Sequence, residues 1–136
     1  MAFLRRHIRL VGALLVVVLV AAVSLAATTA LAPASAPVTE SALVGAWVEP
    51  NPADPHWSEG FMLHEDGTAS SINMATLTYS AWSLRGNRLA LQATSTGNHT
   101  SSTGLERYVV RSVSDTELDL VDSSGATRTF LRADRP

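Results

Sequence analysis

The sequence predicts an all-β domain, a small eight-stranded antiparallel up-and-down barrel, preceded by an N-terminal hydrophobic helix. Between residues 60 and 91, apolar side chains recur at every second position, which is the period of a strand with one buried face. Asp66-Gly67 and Gly86-Asn87 interrupt this alternation. Tight hairpin turns need positive φ angles, which Gly and Asn tolerate, so these pairs indicate hairpin connections.

The N-terminal region is a separate hydrophobic segment. Arg5, Arg6 and Arg9 precede an unbroken apolar run over residues 10–23, and the chain stays weakly apolar to Ala32. This pattern fits a secretory signal with a small-residue cleavage site at 24–26. It also fits a membrane anchor, because residues 10–32 are long enough to cross a bilayer, but the cleaved signal is the favoured alternative.

Both interpretations place the rest of the chain outside the cytoplasm, because positive charge next to an apolar segment is retained inside. We therefore expect an exported protein that is periplasmic, extracellular or anchored to the outer face of the cytoplasmic membrane. The predicted organisation is a signal peptide or anchor over residues 1–32, a Pro/Ala/Ser linker over 33–42, and a barrel domain over 43–134.

Eight short alternating segments follow the linker, and short connections between consecutive strands indicate an antiparallel meander. A meander of this length removes its exposed edges most simply by closing into a barrel. The polar run 95–104 is predicted as a flexible loop or lid, and 51–55 as a loop because it holds two prolines. The predicted strands are 43–49, 59–64, 68–74, 79–84, 88–94, 106–113, 117–122 and 127–131.

Charge and cysteine content exclude several functions. Three of the ten basic residues and none of the twelve acidic residues precede residue 37, which leaves a net charge of −5 beyond it. Nucleic acid and anionic lipid both require a positive surface, and the arginines are spread along the sequence, so neither is an expected partner of the domain. The chain has no cysteine, which excludes disulfides and thiolate metal sites.

The central part of the sequence resembles the exported lipocalin-like, or calycin-like, domains of bacteria. The first strand carries Gly45-Ala46-Trp47, similar to the Gly-x-Trp that begins lipocalin barrels. The likeness spans roughly residues 43–91 and rests on Gly60-Phe61, Asp66-Gly67-Thr68-Ala69, Ser71-Ile72-Asn73-Met74-Ala75-Thr76-Leu77, Tyr79, Trp82 and Leu84-x-Gly86-Asn87-x-Leu89-x-Leu91. Many members of this group carry a lipid-modified cysteine, which this chain lacks.

This resemblance implies a barrel that holds a small apolar molecule. The inner-wall residues that would contact such a ligand are Phe61, Ile72, Asn73, Met74, Tyr79, Trp82 and Tyr108. Lipocalins also pair the Trp of the first strand with an Arg of the last strand at the closed end. Here Gly45 and Trp47 would close the barrel with Arg132 as the first candidate and Arg128 as the second.

The residues do not predict catalysis. Ser, His and Asp are present, but no Gly-x-Ser-x-Gly elbow or comparable nucleophile turn accompanies them, so we expect no enzyme and no cofactor. A sequence cluster of possible metal ligands has no recognised ligand spacing, so no metal site is expected. Its members are His56, Glu59, His64, Glu65 and Asp66.

Two functions remain open at this point. The first is a non-catalytic binding module for a small apolar molecule, working as a monomer, with a membrane contact only through an uncleaved N-terminal segment. The second is a structural or protein-interaction barrel of the cell envelope whose core is filled by its own side chains. Barrel size separates the two, because about 90 residues over eight strands give roughly six residues a strand and hence a short barrel with a small interior. Five aromatic side chains would fill much of it, namely Trp47, Phe61, Trp82, Tyr108 and Phe130.

Overall fold

The computed structural model describes residues 36–133. The predicted signal or anchor at residues 1–32 lies outside this part of the chain. In the described range no helix has the length and apolar character needed to cross a bilayer. A single helical turn, α1 (Glu40–Leu43), covers the end of the predicted linker and Leu43, which was predicted to begin the first strand. Thr39 caps this turn by accepting a hydrogen bond from the Ala42 amide.

Eight antiparallel strands follow α1 and form one sheet in the order β3-β2-β1-β8-β7-β6-β5-β4, which confirms the predicted eight-stranded antiparallel barrel. Every neighbouring pair is sequential in the chain except β1 and β8, whose pairing brings the two ends of the domain together. The strands are β1 (Gly45–Asn51), β2 (Asp54–Leu63), β3 (Ala69–Ile72), β4 (Leu77–Arg85), β5 (Arg88–Gly97), β6 (Thr100–Val113), β7 (Glu117–Val121) and β8 (Thr127–Arg132).

The seam between β3 and β4 closes the barrel with few backbone hydrogen bonds. Thr68 and Ala81 form an isolated bridge across it, and the Trp82 amide donates to the Gly67 carbonyl at 2.9 Å. Ser71 completes the seam, because its Oγ accepts from the Tyr79 amide and donates to the carbonyl of Leu77, both at 2.8 Å. A side-chain hydroxyl thus satisfies backbone groups that a regular ladder would pair.

The barrel interior is a continuous apolar core. Trp47, Phe61 and Phe130 are its largest fully buried side chains. The rings of Phe61 and Phe130 lie 5.0 Å apart, and those of Phe61 and Tyr79 meet edge to face at 5.8 Å. The predicted inward alternation holds on most strands, with buried residues at every second position. These include Leu63, Leu89, Leu91, Tyr108, Val110, Leu118 and Leu120.

Three local predictions were wrong. Residues 95–104 form the outer ends of β5 and β6 rather than a loop or lid, and pairing continues to Gly97 and Thr100. Asn98 and His99 turn the chain there with φ angles of 47° and 63°, the positive values that a two-residue hairpin needs. The 51–55 loop is likewise shorter than predicted, because β2 begins at Asp54.

Ile72 is the third correction, because it does not lie on the inner face of β3. Phe61 pairs with Ser71 and Leu63 with Ala69, so the odd-numbered residues of β3 face inward with their buried partners. Ile72 pairs with Gly60 and is half-buried. Side chains alternate along a strand, so a register shifted by one residue exchanges its two faces.

Candidate functional site: the barrel mouth

One end of the barrel is closed by Trp47 and Arg132. Trp47 is fully buried, and its Nε1 donates to the Leu43 carbonyl at 2.7 Å. The guanidinium carbon of Arg132 lies 4.1 Å from the centroid of the Trp47 ring, within the range of a cation–π contact. Gly45 keeps a φ of +132°, and a Cβ there would collide with the guanidinium of Arg132.

Arg132 also ties α1 to the barrel. Its two terminal nitrogens donate to the carbonyls of Val44 at 2.9 Å and Ala42 at 3.1 Å, and its Nε donates to the backbone carbonyl of Asp115 at 2.7 Å. From the sequence, Arg132 was the first candidate and Arg128 the second for the arginine that pairs with Trp47. Arg128 lies elsewhere, on the inner wall toward the opposite end. Protein groups therefore occupy the Trp47 end, so a ligand would have to approach the interior from the other end.

Toward that other end, the inner wall changes from apolar to charged side chains. Residues two positions apart on a strand share a face, so each change can be traced along one strand. Four strands show it: Trp47 to Glu49 on β1, Phe61 to Glu59 on β2, Tyr108 to Glu106 on β6, and Phe130 to Arg128 on β8. We call Glu49, Tyr79, Glu106, Tyr108 and Arg128 the mouth network.

Glu106 is the acceptor at the centre of this network. The hydroxyl of Tyr79 donates to its Oε2 at 2.8 Å, and that of Tyr108 donates to the same oxygen at 3.0 Å. Burial raises the pKa of Tyr79 well above its ordinary value, and the hydrogen bond to Glu106 raises it further. Burial, followed by the negative charge of Glu106, raises the pKa of Tyr108 to about 12. Both phenols are therefore neutral donors at physiological pH.

Arg128 forms the other half of the network. It makes an ion pair with Glu49 through two guanidinium nitrogens and donates to the Tyr108 hydroxyl at 3.3 Å. Its Cζ lies 5.3 Å from the centroid of the Phe130 ring. Burial opposes the charge on Arg128, but the hydrogen bond and charge of Glu49 outweigh it and raise the pKa of the guanidinium. Charge-assisted pairs of this kind have a defined geometry.

The exposure of these groups shows that solvent can reach them. The side chain of Arg128 is 34% exposed and that of Glu49 is 16% exposed, whereas the rings of Phe61 and Phe130 below them are 2% exposed. A few fixed polar groups above an aromatic floor is the usual composition of a small-molecule site. The mouth can thus offer hydrogen-bond donors and acceptors to one polar end of a molecule.

Four of the seven predicted ligand residues, Phe61, Tyr79, Trp82 and Tyr108, are buried in the barrel core. Trp82 uses its Nε1 to donate to the His64 carbonyl at 2.8 Å, which fixes the ring beside the β3–β4 seam. Tyr79 and Tyr108 belong to the mouth network, and Phe61 forms its floor. The structure therefore brings Phe61, Tyr79 and Tyr108 together at one end of the barrel.

The other three predicted ligand residues lie at or beyond the end of β3. Ile72 is on the outer face, as described above, and Met74 is half-buried and packs against the core. Asn73 is exposed with a positive φ of 56°, and its side-chain Nδ2 donates to the Ser58 carbonyl at 2.8 Å. Trp57, which is 50% exposed, donates to the Asn73 carbonyl at 3.3 Å. These contacts fold the β3–β4 connection against β2.

The His and carboxylate cluster noted in the sequence is dispersed in space. Glu59 accepts a hydrogen bond from Asn51 at 2.8 Å, whereas His64 contacts Ser70 at 3.3 Å on the exposed surface. Asp66 accepts from the hydroxyl and amide of Thr68, and these bonds lower the pKa of its carboxyl. Within residues 36–133 no group of three or more His, Cys, Asp or Glu residues is placed to hold a metal ion.

The sequence prediction missed Glu49 and Glu106, which carry the negative charge of the mouth. Strand alternation contained the signal, because Glu49 lies two residues after buried Trp47, and Glu106 lies two residues before buried Tyr108. Ser71 appears in the sequence analysis only as part of the family resemblance, without a structural role. Its bridging role depends on the distance between β3 and β4, which alternation does not reveal.

Comparison with known proteins agrees with this architecture. A family model described as lipocalin-like matches residues 39–133. A solved structure of a lipocalin-like protein from Bacteroides thetaiotaomicron is similar, with 33% sequence identity and a TM-score of 0.62, and the alignment covers 68% of this chain and 97% of that one. A search among curated proteins found no match. The resemblance inferred from the sequence is confirmed, and the chain belongs to the lipocalin-like family.

Proposed function

We propose that this protein is an exported, non-catalytic binding module that takes a small, mostly apolar molecule with one polar end into the mouth of the barrel. Membership of the lipocalin-like family supports the binding role. The mouth network is the observation that carries the proposal, because it places Arg128 and Glu106 on the inner wall of the barrel. Placing charge on an inner wall is costly, and outward positions on the same strands were available to these residues.

The geometry favours a ligand that is not wholly apolar. The aromatic floor of Phe61 and Phe130 offers apolar contact, while the rim offers the carboxylate of Glu106 and the guanidinium of Arg128. A wholly apolar ligand would displace the water that hydrogen-bonds to these charged groups and would offer no hydrogen bonds in its place. Binding such a ligand would therefore cost free energy. A ligand with a hydroxyl, amide or carboxyl end would replace them.

The test is native mass spectrometry of the full chain isolated from a bacterial host, with the released small molecules then identified. A stoichiometric co-purifying molecule is expected. Glu106→Gln should reduce its retention, while Glu65→Gln, an exposed carboxylate at a turn, serves as the matched control. Equal retention in both variants would place the molecule outside the mouth, and a ligand-free wild-type protein would count against the binding role.

A second candidate function is a structural or protein-interaction barrel with a filled core. The close packing of Trp47, Phe61 and Phe130 favours it, because these rings fill much of the interior. Under this alternative, no small molecule co-purifies and the Glu106→Gln variant behaves as wild type in every binding assay.

Export itself rests on the sequence of residues 1–32. Its test is a reporter fused after Pro136 that is active only outside the cytoplasm, together with a reporter that is active only inside. Activity of the cytoplasmic reporter would overturn the proposed localisation.

A further inference from the structure

The outer face of the sheet carries a groove, on the other side of the strands from the side chains of the mouth network. It has a volume of about 510 Å³ and runs over β4, β5 and β6 to the turn that follows β7. Arg85, Arg88 and Arg107 line it, together with the exposed apolar side chains of Leu105 and Val109. The arginines are spread along the sequence, but strand pairing brings these three together.

Their arrangement works against the stability of the sheet. Arg85 is directly paired with Arg88 next to the β4–β5 turn, and like charges in this position repel each other. Arg107 lies opposite Ala90, one diagonal step from Arg88. Among residues 36–133, none of the three has a carboxylate within the 4.0 Å limit of an ion pair, whereas Arg128 pairs with Glu49.

Asp122 is the acidic residue that lines the groove, and its side chain accepts hydrogen bonds from other residues of its own turn. Its Oδ1 accepts hydrogen bonds from the amide and hydroxyl of Ser124 and from the amide of Ala126. These bonds shape the β7–β8 turn that forms one wall of the groove. Asp122 contributes one negative charge against the three positive charges of the arginines, so the lining of the groove keeps a net positive charge.

The apolar side chains of the groove limit the kinds of molecule that could bind there. Leu105 is 52% exposed and Val109 is 41% exposed, although both lie on a regular strand. Val109 is paired with Arg88 on β5 and with Val121 on β7, so apolar surface borders the guanidinium groups directly. This combination matches a molecule with an anionic head and an apolar body.

A small molecule fits this groove better than an anionic bilayer does. Beyond residue 36 the chain has a net charge of −5, so a flat anionic surface would repel most of the domain. A small anion in the groove would meet three arginines and one carboxylate, that of Asp122, while the other acidic residues lie outside the groove. Guanidinium groups bind phosphate and carboxylate through two parallel hydrogen bonds, which suits them to such a head group.

We propose that this outer groove binds a small amphiphilic anion, with a phosphate or carboxylate head between Arg88 and Arg107 and an apolar body over Leu105 and Val109. The proposed head group would bind on the outer face of the sheet, whereas the side chains of the mouth network lie on the inner face of the same strands. Tyr108 is the residue that the two sites share, because it lines the groove and its hydroxyl bonds Glu106 in the mouth. Glu106 and Arg107 are consecutive on β6 and point to opposite faces.

The experiment titrates the full chain, held in nanodiscs of neutral phosphatidylcholine, with hexyl phosphate while recording amide proton–nitrogen NMR spectra. Saturable shifts are expected at Ala90, Arg107 and Val109. The double variant Arg88→Gln/Arg107→Gln should weaken binding by at least about tenfold, because it removes both bidentate partners of the head group. It removes charge repulsion rather than core packing, so its spectrum should remain that of a folded protein.

Arg111→Gln is the matched control, because Arg111 is exposed on β6 and bonds Thr127 outside the groove. It should change affinity by no more than about twofold, since distant surface charges are screened. Equal weakening in this variant, or equal binding of hexyltrimethylammonium, would overturn the proposal.

Two further outcomes would also overturn it. Shifts confined to Glu49, Tyr79 and Arg128, mouth residues that do not line the groove, would place hexyl phosphate in the barrel mouth. Shifts with nanodiscs that contain phosphatidylglycerol, without a response to hexyl phosphate, would identify the groove as a membrane contact. The groove variants change Arg88 and Arg107, whereas the co-purification test of the mouth uses Glu106→Gln. Either proposal can therefore be refuted without refuting the other.

Discussion

The two tyrosines of the mouth network provide a direct spectroscopic test of the site. The chain contains two tyrosines in total, Tyr79 and Tyr108, so an ultraviolet titration of phenolate formation reads this network alone. Burial and Glu106 raise the pKa of Tyr108 from 10.0 to about 12 and that of Tyr79 further. At pH 11, an unperturbed tyrosine would be about 90% ionised, whereas Tyr108 would be only about 10% ionised.

The same shifts predict how stability depends on pH. A phenol whose pKa is higher in the folded state than in the unfolded state favours folding fully below the unfolded value of 10.0. As the pH rises from there toward about 12, the unfolded chain loses protons that the folded one keeps. The free energy of unfolding should therefore fall over this range. Circular dichroism at each pH verifies that the titrated protein is still folded.

Glu106→Gln tests the cause of the shifts. The amide side chain keeps the shape but removes the charge, so both phenols should titrate at lower pH than in the wild type while staying above 10.0, because burial is the larger cause. Glu40→Gln, at an exposed position in α1, should leave the curve unchanged. A wild-type phenolate transition centred near pH 10 in the folded protein would refute the placement of both tyrosines.

Two further predictions concern the frame that holds the site. In urea denaturation followed by circular dichroism, Trp47→Leu and Arg132→Ala should couple by ~0.5–2 kcal/mol, the size of a cation–π contact, and strictly additive losses would contradict their pairing. Gly60→Ala should lower the melting temperature strongly, because its Cβ would collide with the Trp47 carbonyl, whereas Gly104→Ala, with open space around it, should have little effect. Similar melting temperatures for these two variants would contradict the close approach of β1 and β2.

Most of the fold could be predicted because its buried residues alternate clearly. Leu89 and Leu91, or Leu118 and Leu120, specify both a strand and its inner face. The outer ends of β5 and β6 could not be predicted this way, since Ser, Thr and Gly there are exposed on both faces and resemble a loop. Their strand structure comes from continued pairing with each other and from the turn at Asn98 and His99.

The predicted register of β3 was wrong for a different physical reason. Ile72 and Met74 are apolar, so alternation places them inside, but the position that the seam requires is Ser71, whose hydroxyl bonds the backbone of β4. A polar side chain faces inward because it satisfies backbone groups that lack a strand partner. Apolar alternation cannot detect this, because the need arises only where two strands meet without a regular ladder.

The polar hairpin of β5 and β6 has a consequence for both proposed sites. Its ladder runs without a shift from Arg88–Val109 to Gly97–Thr100, and within it Glu106 faces the mouth while Arg107 faces the outer groove. A slip of one residue would exchange these faces, which would bury Arg107 and expose Tyr108. Residues 95–104, whose composition predicts a loop, therefore contribute to the register of β5 and β6. Its extra backbone pairs hold the register that keeps the two opposite charges on their separate faces.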